Sequence, residues 1–218
     1  MNAALSQLAI GDSPDAWERA GFVVDANTVR IGSVNLALVG DGGDRGVLSW
    51  GFADEAVVGT PAVDGLATHH SPKTEAATAA APTHPNGAQQ LDHLVVATPN
   101  LGRSIEAFEN FGLELRRVRD TGTKERPTQQ AFFWIGEPIL ELVGPKEPRG
   151  DAAASFYGIA VAVADLAQTA AYLGESCGTI KNAVQPGRQV ATLRHQELGM
   201  SVPLIFMSPH LNASDRDA

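Results

Sequence analysis

The chain has 218 residues, 44% hydrophobic and 19% charged, with 25 acidic against 16 basic side chains and a formal net charge of -9. That balance suits one or two ordinary globular domains and works against a phosphate backbone or an anionic membrane as partner. A single cysteine, Cys177, excludes an intrachain disulfide, and no stretch approaches the ~20 apolar residues of a membrane span.

Residues 1–12 have neither the basic start nor the apolar run of a secretory signal, so a cytoplasmic protein is expected. Residues 1–70 form the first unit. A helix is expected over 16–20, with Ser13 or Asp15 as cap, Pro14 near its first turn and Gly21 after its end. Phe22–Asp25, Thr28–Ile31 and Val34–Val39 are strand candidates. Gly46–Ala53 is a further strand, read as the displaced first strand of a worn module that otherwise lacks one. The run Gly40-Asp41-Gly42-Gly43-Asp44 is acidic and has no following Lys-Ser/Thr, so it is a turn and not a phosphate loop.

His69 and His70 are adjacent on an extended chain and point opposite ways, which makes a poor chelate and places them in solvent. Residues 71–90 are Ala, Thr, Pro and polar residues without apolar period, and read as a linker. His84 within it and His210 near the C-terminus are expected to be ordinary exposed residues. Cys177 is expected to be a small buried apolar residue.

The larger part, 91–210, opens on Leu91-Asp92-His93-Leu94-Val95-Val96-Ala97, a short β-rich apolar strand stopped by Thr98-Pro99-Asn100. Asn100 then caps a helix whose apolar face is Leu101, Ile105, Phe108 and Phe111, ended by Gly112. Strands follow at Leu113–Arg119, Gln130–Ile135 and Ile139–Val143, closed by Gly144-Pro145. The order is βαβββ over 91–145. It recurs over 156–209. Phe156–Ala164 is a strand, Asp165 caps a helix over Leu166–Leu173, and Thr179–Val184, Val190–His195 and Val202–Met207 are strands. Leu166 lies 65 residues after Leu101, and Ser208-Pro209 lies 64 after Gly144-Pro145. A constant offset over a whole supersecondary unit marks an internal duplication. Residues 211–218 are polar and expected to be a disordered tail.

LDHLVVATPNL, a helix, and then ILELVGP resemble the vicinal oxygen chelate superfamily of glyoxalases, bleomycin-resistance proteins and extradiol dioxygenases. The resemblance implies an α+β fold of tandem βαβββ modules forming cupped mixed sheets with helices on the outside. It also implies a divalent metal (Zn, Mn, Ni or Fe) held by His93 on a first strand and Glu141 on a last strand. The residues themselves support this pair. Each interrupts an otherwise apolar face of its strand, and an isolated buried carboxylate is costly unless paired or coordinated. The second copy lacks both, since the offsets place Gly158 opposite His93 and Ile205 opposite Glu141. In the first unit Ala37 stands opposite Glu141. Gln130 and His195 are candidates to complete the site, and Trp134, Phe132 and Arg188 to line a pocket.

Two functions follow from these residues, beside a scaffold or degenerate member with no small-molecule role. One is a metal-dependent lyase, isomerase or dioxygenase, with Glu141 as ligand or general base. The other is a binding protein that holds a small oxygen-rich or aromatic molecule without metal or chemistry. Modules of this kind also pair between chains, so a homodimer is a candidate assembly.

Overall fold

The computed structural model describes residues 3–40, 42–54, 57–72 and 81–209. The expected tail with His210, and the middle of the expected linker, lie outside them. Fourteen strands make two sheets among these residues.

The second sheet contains the sequence repeat. Its first half is β7 (Ala88–Ala97), α2 (Leu101–Asn110), β8 (Glu114–Gly122), β9 (Pro127–Trp134) and β10 (Ile139–Pro145). Its second half is β11 (Ser155–Val163), α3 (Leu166–Leu173), β12 (Lys181–Asn182), β13 (Gln189–Thr192) and β14 (Leu204–Met207). Strand order is β12-β13-β14-β11-β7-β10-β9-β8. In each half the first strand lies parallel to the last, β7 to β10 and β11 to β14. Antiparallel pairing of β7 with β11 joins the halves. The module at 91–145 is therefore completed within the same chain.

Local chemistry sets the helix starts. The Asn100 side chain accepts the Arg103 N–H at 3.2 Å, and the Asp165 carboxylate accepts the Ala167 and Gln168 N–H groups at 2.8 and 3.0 Å. Each bond satisfies one donor that the first helical turn leaves free. Strand alternation decides what is covered. On β10, Leu140 and Leu142 are buried while Ile139, Glu141 and Val143 are half-buried on the other face. The covered face carries α2 and joins one continuous core. In that core Trp50 of the first sheet meets Phe108 of α2 at 5.8 Å and Phe156 of β11 at 5.6 Å between ring centroids.

The first sheet corrects the reading of residues 1–70. It contains β1 (Leu5–Ile10), β2 (Thr28–Ile31), β3 (Val34–Leu38), β4 (Val47–Phe52), β5 (Ala62–Val63) and β6 (Leu66–His70), with helix α1 over Pro14–Arg19. The order is β2-β3-β1-β4-β6-β5. The strand thought to be missing is thus β1. Residues 47–52 are not its displaced substitute. β4 pairs antiparallel with β1 and parallel with β6, repeating the junction that β11 makes in the second sheet. Strand β1 escapes a propensity reading because Ser6 and Gln7 interrupt it. Its stability comes from its neighbours β3 and β4 and from the Ser6 hydroxyl, which donates to Gly51 and Ser71 carbonyls.

Smaller corrections follow. Phe22–Asp25 is not a strand. It reaches Thr28 only through a bridge at Asp25, because the turn between them places Ala26 and Asn27 at positive φ. Thr179–Val184 contracts to two residues in β12, and β13 ends at Thr192. His69 and His70 are half-buried, and the His69 Nε2 lies 3.2 Å from the Gln7 Oε1. His84 is buried. Its Nδ1 accepts the Val23 N–H and its Nε2 faces the Arg30 carbonyl, both at 2.9 Å, which tethers the connecting segment to the first sheet. Cys177 is half-buried, and burial raises its thiol pKa.

Candidate functional site

The uncovered face of the second sheet is concave and encloses a cavity of about 630 Å³. Strand register lays its side chains in rows. Trp134 pairs with Ile139, Ile139 with His93, and His93 with Ala160. In the next row Arg117 pairs with Phe132, Phe132 with Glu141, and Glu141 with Val95. In the third, Arg119 pairs with Gln130, Gln130 with Val143, and Val143 with Ala97. The wall contributed by the second half is mostly apolar, with Val184, Val190, Ile205 and Met207 beside Gln185. Trp134 and Tyr157 stand 42% and 63% exposed at the cavity. Large apolar side chains gathered uncovered on a concave surface are the usual mark of a ligand site.

His93 and Glu141 meet diagonally across β7 and β10, with Nε2 3.7 Å from Oε2. Gln130 donates its amide N–H to the other Glu141 oxygen, and the Arg119 guanidinium donates to the Gln130 carbonyl. Below the floor, Asp92 accepts from the His93 Nδ1 at 2.9 Å and from the Arg188 Nη2 at 2.6 Å. Burial pushes the Asp92 carboxyl up, but hydrogen bonds from His93 and Arg188 and the Arg188 charge outweigh it, leaving Asp92 well below the usual carboxylate range. A carboxylate only accepts, so Asp92 places the neutral imidazole's proton on Nδ1. That leaves a lone pair on Nε2 facing the cup. The arrangement can give or take one proton at Nε2 and offers a polar pair on an otherwise apolar floor.

Four expected residues, His93, Glu141, Gln130 and Trp134, line one cup together with Phe132. Two do not belong there. Arg188 is 3% exposed, spends its donors on Asp92, Gln185 and the Ser208 carbonyl, and does not line the cup. His195 opens a 3-10 turn, His195–Leu198, and does not line the cup either. Conversely Arg117, Arg119 and Tyr157 line it without having been singled out. The signal for the arginines was their spacing of two on a strand, which puts both on one face.

The donor set does not fit a firmly held divalent cation. His93 and Glu141 converge, but the matching places in the second half are Gly158 and Ile205, as the offset required. Ile205 pairs with Ala160 as Glu141 pairs with Val95. The Gln130 carbonyl is already engaged by Arg119. Among the described residues no group of three or more His, Cys, Asp or Glu side chains could hold a metal, whereas three or four protein ligands are usual.

Two four-stranded βαβββ halves sharing one cupped sheet define a glyoxalase-type domain. The family profile of the Glyoxalase/Bleomycin resistance protein/Dioxygenase superfamily matches residues 90–195, and that part of the chain belongs to it. Solved structures extend the likeness to the whole chain. A mutant of 4-hydroxymandelate synthase from Streptomyces coelicolor superposes with TM-score 0.68 at 12% identity, over 100% of this chain and 96% of the other. A catechol 2,3-dioxygenase gives 0.58 at 11%, over 95% and 89% of the two chains. A variant of homoprotocatechuate 2,3-dioxygenase from B. fuscum gives 0.58 at 13%, over 100% and 74%. At such identities the likeness establishes the fold. No curated protein sequence matches. No helix among the described residues is long and apolar enough to cross a membrane.

Proposed function

We propose that the second sheet binds a small aromatic molecule in its cup without a firmly held metal ion. His93 and Glu141 then contact polar atoms of that molecule. The observation that carries this reading is the pairing of an uncovered aromatic cavity with a polar floor whose two groups are each held by a neighbour, His93 by Asp92 and Glu141 by Gln130. The Asp92–His93 and Gln130–Glu141 contacts orient both side chains. The metal-dependent alternative needs a third donor, and among the described residues the second half lines the cup with no His, Cys, Asp or Glu.

Trp134 provides the test. Trp17 and Trp50 are 0% exposed, so acrylamide quenching of this protein reads Trp134. A neutral aromatic probe, phenylnaphthylamine, should saturate and protect Trp134 from quenching. Metal analysis of the purified protein should find no stoichiometric metal, and Zn, Mn, Ni or Fe should leave Tm in place. Absence of saturable protection defeats the binding reading. A metal near one per chain, lost in His93→Ala, establishes the metal-dependent alternative instead.

A further inference from the structure

Resting on the binding reading above, we propose that the ligand is an aromatic acid. Its carboxylate, or another small oxyanion, is taken by Arg117 and Arg119 on the β8 wall. The protein as a whole is strongly acidic, at -9, yet this wall is not. Arg116, Arg117 and Arg119 all line the cavity, and Glu141 is the one carboxylate that does. Glu141 is already engaged by Gln130 and faces His93.

The arginines differ in how far they are engaged. Arg116 pairs with Glu114 at 2.6 Å. Arg117 and Arg119 make no ion pair among the described residues. Instead their guanidinium carbons lie 5.1 and 5.5 Å from the centre of the Phe132 ring. Arg119 also donates from Nε and Nη2 to the Gln130 carbonyl. Stacking over one ring holds both forks at the same side of the cup and leaves the Arg117 donors and the remaining Arg119 donors for an anion. Two guanidinium groups so close repel each other, and an anion between them relieves that repulsion. Directly below lies Phe132, with Trp134 two residues further along the same strand, and across the sheet stand Tyr157 and the apolar wall. A charged head against β8 and a flat apolar body over the floor therefore match the two walls together. A neutral aromatic matches one of them.

Two related probes separate this inference from the reading beneath it. Anilinonaphthalene sulfonate carries an anionic head that phenylnaphthylamine lacks. Occupancy of the cup is read for each as protection of Trp134 from acrylamide. The sulfonate should bind about tenfold or more tighter, since a charge-assisted hydrogen bond contributes on that order. Arg117→Ala and Arg119→Ala should each remove about that factor for the sulfonate and weaken the neutral probe far less. Arg126→Ala, an exposed residue outside the cavity, should change neither and so controls for overall charge. Equal affinities for the two probes, or variants that weaken both alike, overturn the acid assignment while leaving aromatic binding intact. If neither probe protects Trp134, the binding reading fails and takes the assignment with it.

Discussion

The two halves of the second sheet share topology, strand order and junction, yet one half carries every charged side chain of the cup. In β7–β10 the floor positions are His93 and Glu141. In β11–β14 the matching positions are Gly158 and Ile205, and the surrounding wall is Val184, Val190 and Met207. Backbone pairing is therefore indifferent to what the open face displays. The covered face is constrained in both halves, by Leu140 and Leu142 in one and by Leu204 and Phe206 in the other. The open face is free to diverge, and function has to be argued from it and not from the fold.

Among the described residues an ionic link crosses between the halves. Arg188, from the loop before β13, is buried against Asp92 of β7. Cutting it should give the largest effect of those considered. Arg188→Met leaves the Asp92 carboxylate buried and without its guanidinium, a change that typically costs ~3–5 kcal/mol. Urea denaturation should show the midpoint falling accordingly. Pairing it with Asp92→Leu, which removes the stranded charge, should recover part of the loss. A single variant as stable as the parent would mean the two halves are held together by the β7–β11 ladder and core alone.

A smaller effect comes from making the halves alike. Ile205 lies in the row of His93, two strands away across β11, and its side chain faces the cavity. Strands are ~4.8 Å apart, so a longer carboxylate side chain at this place approaches the His93 ring. Ile205→Glu should supply the third donor that the site lacks. Zinc at ~100 times Kd would then stabilise the variant by about 2.7 kcal/mol and leave the parent unmoved. A variant as indifferent to zinc as the parent would show that donor count is not what separates this cup from a metal site.

The same contrast explains what was legible in the sequence. The βαβββ order at 91–145 and its repetition were readable because caps, glycine stops and apolar alternation all agree there, at Asn100, Gly112 and along Ile139–Val143. His93 and Glu141 stood out because each breaks an apolar row. Strand β1 and the 62–70 hairpin were not readable, because their strands are short or polar and are stabilised by neighbours distant in sequence. Arg188 and His195 were misplaced for a related reason. Arg188 follows a turn and His195 opens one, both in the weakly patterned second half, where β12 is two residues long and gives no register. Arg117 and Arg119 were visible as residues, but which face of β8 they occupy depends on a bulge between Leu115 and Arg117.

The smallest effect tests the connection between the two sheets. His84 is held neutral between the Val23 N–H and the Arg30 carbonyl. Burial lowers its pKa below the ordinary 6.5, against the Arg30 hydrogen bond, which raises it. The sign follows from which state takes up the proton first. Above pH 6.5 both folded and unfolded forms are neutral, and the full stability is present. As pH falls from there through the lowered folded value, the unfolded chain is protonated first and stability is lost. His84→Gln keeps one donor and one acceptor but cannot titrate, so it should flatten this part of the profile. Denaturation midpoints between about pH 7.5 and pH 5 check it. Parallel profiles for parent and variant would mean that the tether to the first sheet opens at little cost, and that the connecting segment contributes nothing to holding the sheets together.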